Sequence, residues 1–320
     1  MSDACRRTLV GWLTPPIGVA CLLFVSAFGA RFDAQSAKPS TGTGSGRLNH
    51  VIEKLERGET VIGTFPAQMT GSLAGARTMG TSSNDFIMFD LQYGVFDVSP
   101  IQFSIFAMTN KGGILKRGNI GPVPTPFARI PESTHDSPGF AAKQLLDIGL
   151  FGVMFPHIES RQQAEQAVQS MRYPTRHGVS FDAPGASRSD PADAIWYWGL
   201  SKEEYMQRAD VWPLNPRGEL LAIVQIESRL GLERLDEILG VPGVGALLIG
   251  PSHLSQSLGE AGAKAPKTEA AVQAIVKACV ARRMPCGYPI VEATADRAGA
   301  EVTRRKSEGF RMLTVNVNRP

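Results

Sequence analysis

The apolar run LLAIVQIES closes on Glu227 and Ser228, and the run LLIGPSHLSQSLG breaks at Gly250-Pro251 into a polar turn that holds His253. A carboxylate and an imidazole delivered from the ends of two neighbouring strands can share one divalent cation. The plainer alternative pairs Glu227 with an arginine and lets His253 cap the helix that follows. His157 closes a third apolar run, FGVMFPHI. It is either a third ligand, completing a set of two histidines and one carboxylate, or a histidine of the pocket wall. Asp90 and Arg129 end two further runs, DFIMFD and TPFAR, while His135 and His177 have no neighbours that give them a role.

These residues need elements that bring them together. From Leu48 onward, short apolar runs alternate with segments of helical spacing. VIEKLERGE, FAAKQLLDIG, RQQAEQAVQSMR, RLGLERLDEILG, the stripe around Val272 and the segment around Thr303 read as helices. VIGTF, DFIMFDLQ, TPFARIP, FGVMFPHI, LLAIVQIE, GALLIG, CGYPIV and RMLTVNV read as strands. Gly149 sits where a helix should end. Strands that are continuously apolar, rather than alternating, are buried on both faces and so parallel. About eight such units over 48–320 fit one (β/α)₈ TIM barrel. An open doubly wound sheet is the other arrangement, but no Gly-x-Gly-x-x-Gly follows the first strand to support a dinucleotide site. In a barrel the C-terminal strand ends gather at one mouth, which predicts Asp90, Arg129, His157, Glu227 and His253 together there.

The chain has 320 residues, 43% of them hydrophobic, and a formal net charge of +3 from interspersed acids and bases. That is ordinary globular composition, and the charge balance gives no electrostatic reason for a nucleic-acid or anionic-membrane partner. Arg6 and Arg7 precede the apolar run Ile17 to Ala30, so residues 1–37 read as a signal peptide. The expected location is exported, periplasmic or secreted, or membrane-anchored if the segment stays uncleaved. Residues 38–47 read as a flexible linker. Cleavage would remove Cys5 and Cys21. Cys279 lies on an apolar helix stripe and reads as a buried thiol, with a disulfide to Cys286 open to it in an oxidising compartment. AIWYWGLSKEEYMQ, within an insertion at roughly 178–218, offers Trp196, Tyr197 and Trp198 either as a lid or as a subunit contact.

VQIES followed by GVGALLIGPSHLS resembles the HpcH/HpaI aldolases, metal-dependent pyruvate aldolases related to the citrate lyase β-subunit. ARIPESTHDSPGFAAKQLLDIGLFGVMFPHIES and the later RYP resemble the same family, and the likeness covers most of Leu48 to Val317. It implies a divalent-metal-dependent carbon–carbon lyase that cleaves a 2-oxo acid to a pyruvate enolate and an aldehyde, and a homo-oligomer. It implies that Arg129 binds the substrate carboxylate and steadies the enolate, Glu227 is a metal ligand and Gln225 lies near a metal-bound water. Asp147 would reach a neighbouring subunit's site, and the turn Gly250, Pro251, Ser252 would face the pyruvate carboxylate.

Two positions depart from the family. Its second ligand is Asp, and His253 stands there; its base is a His, and FDLQYG offers Tyr93, with Asp90 as the acid that orients the base. His to Tyr moves the reference pKa from about 6.5 to about 10, which makes a poor base at neutral pH. Asp to His disfavours Mg²⁺ and favours Zn²⁺, Fe²⁺, Mn²⁺ or Co²⁺. These departures keep open a repurposed or non-catalytic 2-oxo-acid-binding protein, and a different lyase built on Tyr93.

Overall fold

All eight expected apolar runs form parallel strands. The computed structural model describes residues 46–66, 71–93, 95–132, 137–173 and 191–317. The strands are β1 (Val61–Thr64), β2 (Phe86–Asp90), β3 (Thr125–Arg129), β4 (Gly152–Phe155), the two-residue β5 (Val211–Trp212), β6 (Leu220–Ile226), β7 (Ala246–Ile249), β8 (Cys286–Glu292) and β9 (Met312–Val317). Pairing runs β1, β2, β3, β4, β6, β7, β8, β9 and back to β1, every ladder parallel. The sheet closes as an eight-stranded (β/α)₈ barrel, and β5 adds a short ladder beside the start of β6.

The first helices are α1 (His50–Glu56), α2 (Leu73–Gly80), α3 (Ser99–Ala107), α4 (Lys111–Arg117), α5 (Gly139–Asp147), α6 (Arg161–Ser170), α7 (Ala192–Trp198) and α8 (Lys202–Arg208). They are followed by α9 (Arg229–Glu233), α10 (Leu235–Leu239), α11 (Pro251–Ser257), α12 (Pro266–Ala281) and α13 (Ala295–Ser307). Gly149 takes φ +108° just past α5, the left-handed turn expected there. RLGLERLDEILG is two short helices that meet at Arg234 rather than one. α2, α3, α4, α7, α8 and α11 are not among the expected helices. Their stretches are short, or rich in Gly, Ser and Pro, and carry little helical periodicity.

The N-terminal end of the barrel is closed by packing. Phe86 and Phe127 meet with ring centroids 5.8 Å apart, and Gly63 leaves room for the Phe86 ring. Asn49 caps α1 and reaches Glu219 O at 2.9 Å, while the buried Glu219 carboxylate takes the amide of Asn49 at 2.9 Å. The aromatic segment belongs to this end. Trp198 is buried, stacks on Phe151 at 4.2 Å and donates its indole N–H to Gly149 O at 2.8 Å. Phe151 directly precedes β4, so the lid reading is corrected: the segment lies at the end of the barrel opposite Glu227. Cys279 and Cys286 are joined as a disulfide with Cα atoms 5.9 Å apart, which replaces the buried-thiol reading. Residues 1–45, with Cys5, Cys21, the expected signal peptide and most of the linker, lie outside the described residues, as do His135 and His177.

Candidate active site

Strand register sets the mouth of the barrel. Asp90 and Arg129 are direct cross-strand partners at the ends of β2 and β3. Phe155 pairs with Val224, and Ile226 with Ile249. His157, Glu227 and Gly250, one or two residues beyond these pairs, therefore emerge side by side. Phe65, Tyr93, Arg129, Gln225, Glu227 and His253 line one cavity of about 400 Å³ there.

Glu227 is the centre of the cluster. It is only 2% exposed, so its carboxylate needs partners. Oε1 accepts the backbone N–H of His157 at 3.0 Å, and Oε2 lies 2.8 Å from His253 Nδ1. The rings of His157 and His253 stack with centroids 5.1 Å apart. His157 holds φ +50°, a left-handed conformation that costs a non-glycine residue about 1–3 kcal/mol unless its surroundings enforce it. Here its own N–H to Glu227 and the next residue's N–H to Gln225 O, at 3.1 Å, hold the turn. His157 Nε2 lies 3.1 Å from a Glu132 oxygen and 3.4 Å from Glu227 Oε1. These are ion-pair distances, but the angles make no hydrogen bond, and the atom is buried.

One ligand atom each from His157, Glu227 and His253 falls within 4.8 Å of the others. A buried imidazole nitrogen without a hydrogen bond, aimed at a buried carboxylate and a second imidazole, fits a divalent cation. Gly250 completes the cradle. A Cβ there would sit 2.4 Å from Glu227 Oε2 and 2.6 Å from Glu227 Cβ. The close approach explains the glycine, since its φ of −99° would suit any residue.

Arg129 does not stand free. Its Nε donates to Asp90 Oδ1 at 2.9 Å and one terminal nitrogen to Asp90 Oδ2 at 2.5 Å, a bidentate pair. The other terminal nitrogen lies 3.4 Å from Gln225 Oε1. Asp90 therefore orients Arg129; the expectation that it orients Tyr93 is corrected. Tyr93 is 62% exposed, its hydroxyl 3.3 Å from His253 Nε2, with the Arg129 guanidinium 5.5 Å from its ring centre. Burial of the hydroxyl raises its pKa above the ordinary tyrosine value, and Arg129 only partly opposes this. Tyr93 is thus a phenol at neutral pH.

The turn of Gly250, Pro251 and Ser252 lines the same cavity. Gly250 spends its amide on Ile226 O at 3.0 Å and Pro251 has none, so the amides left to face an anion are those of Ser252 and His253. Asp147 is not brought to this site. It ends α5, near the N-terminal end of β4, paired with Lys143 through one oxygen while Oδ1 is buried without a hydrogen bond. The sequence reading missed Glu132, Phe65 and Asn316. Glu132 had a weak signal, an acid three residues beyond Arg129; the other two show only once β1 and β9 are neighbours.

The family model for HpcH/HpaI aldolase/citrate lyase matches residues 70–314. The chain is 33% identical over 210 residues to a hydroxypyruvate/pyruvate aldolase of Delftia acidovorans, covering 61% of this chain and 72% of that protein. It is 29% identical over 242 residues to a 2-keto-3-deoxy-L-rhamnonate aldolase of Salmonella schwarzengrund, covering 75% and 76%. Its fold is similar to that of a solved HpcH/HpaI aldolase/citrate lyase family protein from Burkholderia cenocepacia, with TM-score 0.66 at 23% identity over 84% of this chain and 93% of that one. The cavity at the C-terminal mouth of the barrel and these relationships lead to one conclusion: the chain belongs to the HpcH/HpaI aldolase/citrate lyase family and is a carbon–carbon lyase of it.

Proposed function

We propose that the enzyme cleaves a 4-hydroxy-2-oxo acid by a retro-aldol reaction, releasing pyruvate and an aldehyde, with a divalent cation held by Glu227, His253 and His157. The observation that carries this reading is the convergence of Arg129, Gln225, Glu227 and His253 on one cavity. Two imidazoles and one carboxylate favour Zn²⁺, Fe²⁺, Co²⁺ or Mn²⁺ over Mg²⁺. When bound, the cation supplies a Lewis acid that polarises the 2-oxo group.

The chain's own residues do the rest. Arg129, fixed by Asp90, presents its remaining N–H groups to the substrate's oxyanion, where a pre-oriented guanidinium costs no reorganisation. Gln225, 2% exposed, holds the far side of that guanidinium. The 4-hydroxyl proton passes to water at the open mouth as the C3–C4 bond breaks; the electron pair of that bond passes to the enolate, which takes up a proton at C3 to give pyruvate. Tyr93, a phenol at neutral pH, suits the return of the proton better than its removal. His253 Nε2, 3.3 Å away, aligns its hydroxyl.

Two further readings concern location and assembly. Export is supported by the basic and apolar residues 6–30 and agrees with the Cys279–Cys286 disulfide. A homo-oligomer is supported by Trp196, 72% exposed against Phe106. The metal assignment is tested by elemental analysis and titration calorimetry. Wild type is expected to bind one divalent ion per chain and Glu227→Ala none; equal binding by both would sink the assignment.

A further inference from the structure

We propose that the aldehyde partner is uncharged and apolar, an aliphatic or aromatic aldehyde rather than one bearing a carboxylate or several hydroxyls. This rests on the aldolase reading above and names the substrate class of that same cavity.

The cavity lining is mixed. Arg129, Gln225, Glu227, Ser252, His253 and Asn316 are its polar members; Phe65, Pro66, Tyr93, Leu248, Pro289 and Val291 supply a largely apolar wall. The polar group beside Phe65 is already engaged. Asn316, the lining amide beside Phe65, donates to Phe65 O at 2.6 Å and accepts the Phe65 N–H at 3.4 Å, so it holds the Phe65 backbone in place. The Phe65 ring in turn lies 5.0 Å from the Arg129 guanidinium, which closes that face of the arginine.

Charge points the same way. Among the described lining residues Arg129 is the one cation, and Asp90 takes two of its nitrogens. The N–H groups that remain are matched to the 2-oxo acid end of the substrate. A second carboxylate would find no further cation among the described lining residues, and Glu132, half-exposed, lies close by, 3.1 Å from His157 Nε2. An anionic tail would lose its hydration and meet a like charge. A polyhydroxylated tail would face six side chains that offer one phenol between them. An apolar tail gains by burial against the same wall. The volume, about 400 Å³, exceeds what the 2-oxo acid alone needs.

The test runs the reaction in the synthetic direction. Pyruvate loses a C3 proton, C3 bonds to the aldehyde carbon, and the aldehyde oxygen takes up a proton as the new hydroxyl. Holoenzyme is assayed with pyruvate and, in turn, hexanal, benzaldehyde, succinic semialdehyde and glyceraldehyde. The expected result is kcat/KM at least about tenfold higher for hexanal or benzaldehyde than for the other two. Val291→Arg, a change at a half-exposed rim position, is expected to narrow or reverse the ratio of hexanal to succinic semialdehyde. Exchange of pyruvate C3 hydrogen for deuterium needs no aldehyde and is measured on each protein. Exchange with succinic semialdehyde or glyceraldehyde preferred overturns this inference alone; no exchange with any of Mg²⁺, Mn²⁺, Co²⁺, Zn²⁺ or Fe²⁺ overturns it together with the aldolase reading.

Discussion

Gly250→Ala isolates the packing around the metal ligands from their chemistry. The new Cβ would lie 2.4 Å from Glu227 Oε2, 2.6 Å from Glu227 Cβ and 2.8 Å from Gln225 Nε2. The first and last clashes involve the ends of side chains, but Glu227 Cβ is fixed to the end of β6, where the chain is buried and cannot yield cheaply. Overpacking of this kind costs about 1–3 kcal/mol. Without metal, Glu227 can relieve part of the strain by turning away from His253. With metal bound it must return, so the strain appears as lost affinity of about 5- to 150-fold. The assay is titration calorimetry with Mn²⁺ or Co²⁺ on wild type and variant, alongside thermal unfolding of both apo proteins. The expected pattern is a weaker Kd with a smaller change in apo Tm. A metal Kd within twofold of wild type would refute the claim that Gly250 is there to seat Glu227.

Arg129→Lys is expected to weaken binding of pyruvate or oxamate by about tenfold or more, because lysine cannot keep two bonds to Asp90 and still present a planar donor; unchanged affinity by calorimetry contradicts the role. Tyr93→Phe is expected to slow C3 protonation while metal affinity stays near wild type, since the hydroxyl meets His253 from outside the ligand set. Stability is expected to fall as pH drops below about 4.5. Burial pushes the Glu269 carboxyl up, but hydrogen bonds from Arg305 and Gln273 and the charges of Arg305 and Arg304 outweigh it and hold it below that ordinary value. Its stabilisation is present above the unfolded pKa and is lost as pH falls through the folded one, so Glu269→Gln should flatten the acid limb of a denaturation profile; an unchanged limb counts against this network.

The barrel was legible because strands buried on both faces leave continuous apolar runs, and eight such runs separated by helical spacing allow few closures. Arg129, Gln225, Glu227 and His253 were legible for the same reason, as each sits at or just beyond a strand end. What side chains do there was less so. The role of His157 depends on a left-handed turn that an ordinary Phe-Pro-His-Ile stretch does not announce. Tyr93, in the loop after β2, meets His253, in α11 and 160 residues away, and no spacing encodes that contact. Asp90 was assigned to Tyr93 when the direct β2–β3 register gives it to Arg129. The aromatic segment was ambiguous because burial at either end of a barrel selects the same residues.

Enolisation of a 2-oxo acid is proposed to need a metal held by Glu227, His253 and His157. This need is tested most directly by proton NMR of pyruvate in D₂O with chelator-stripped enzyme, before and after addition of one equivalent of Co²⁺, Zn²⁺, Mn²⁺, Fe²⁺ or Mg²⁺. The stripped protein is expected to show no C3 exchange, at least one nitrogen-preferring metal to restore it more strongly than Mg²⁺, and Glu227→Ala to show none. Exchange that persists in the stripped protein, or in Glu227→Ala at the wild-type rate, would contradict it.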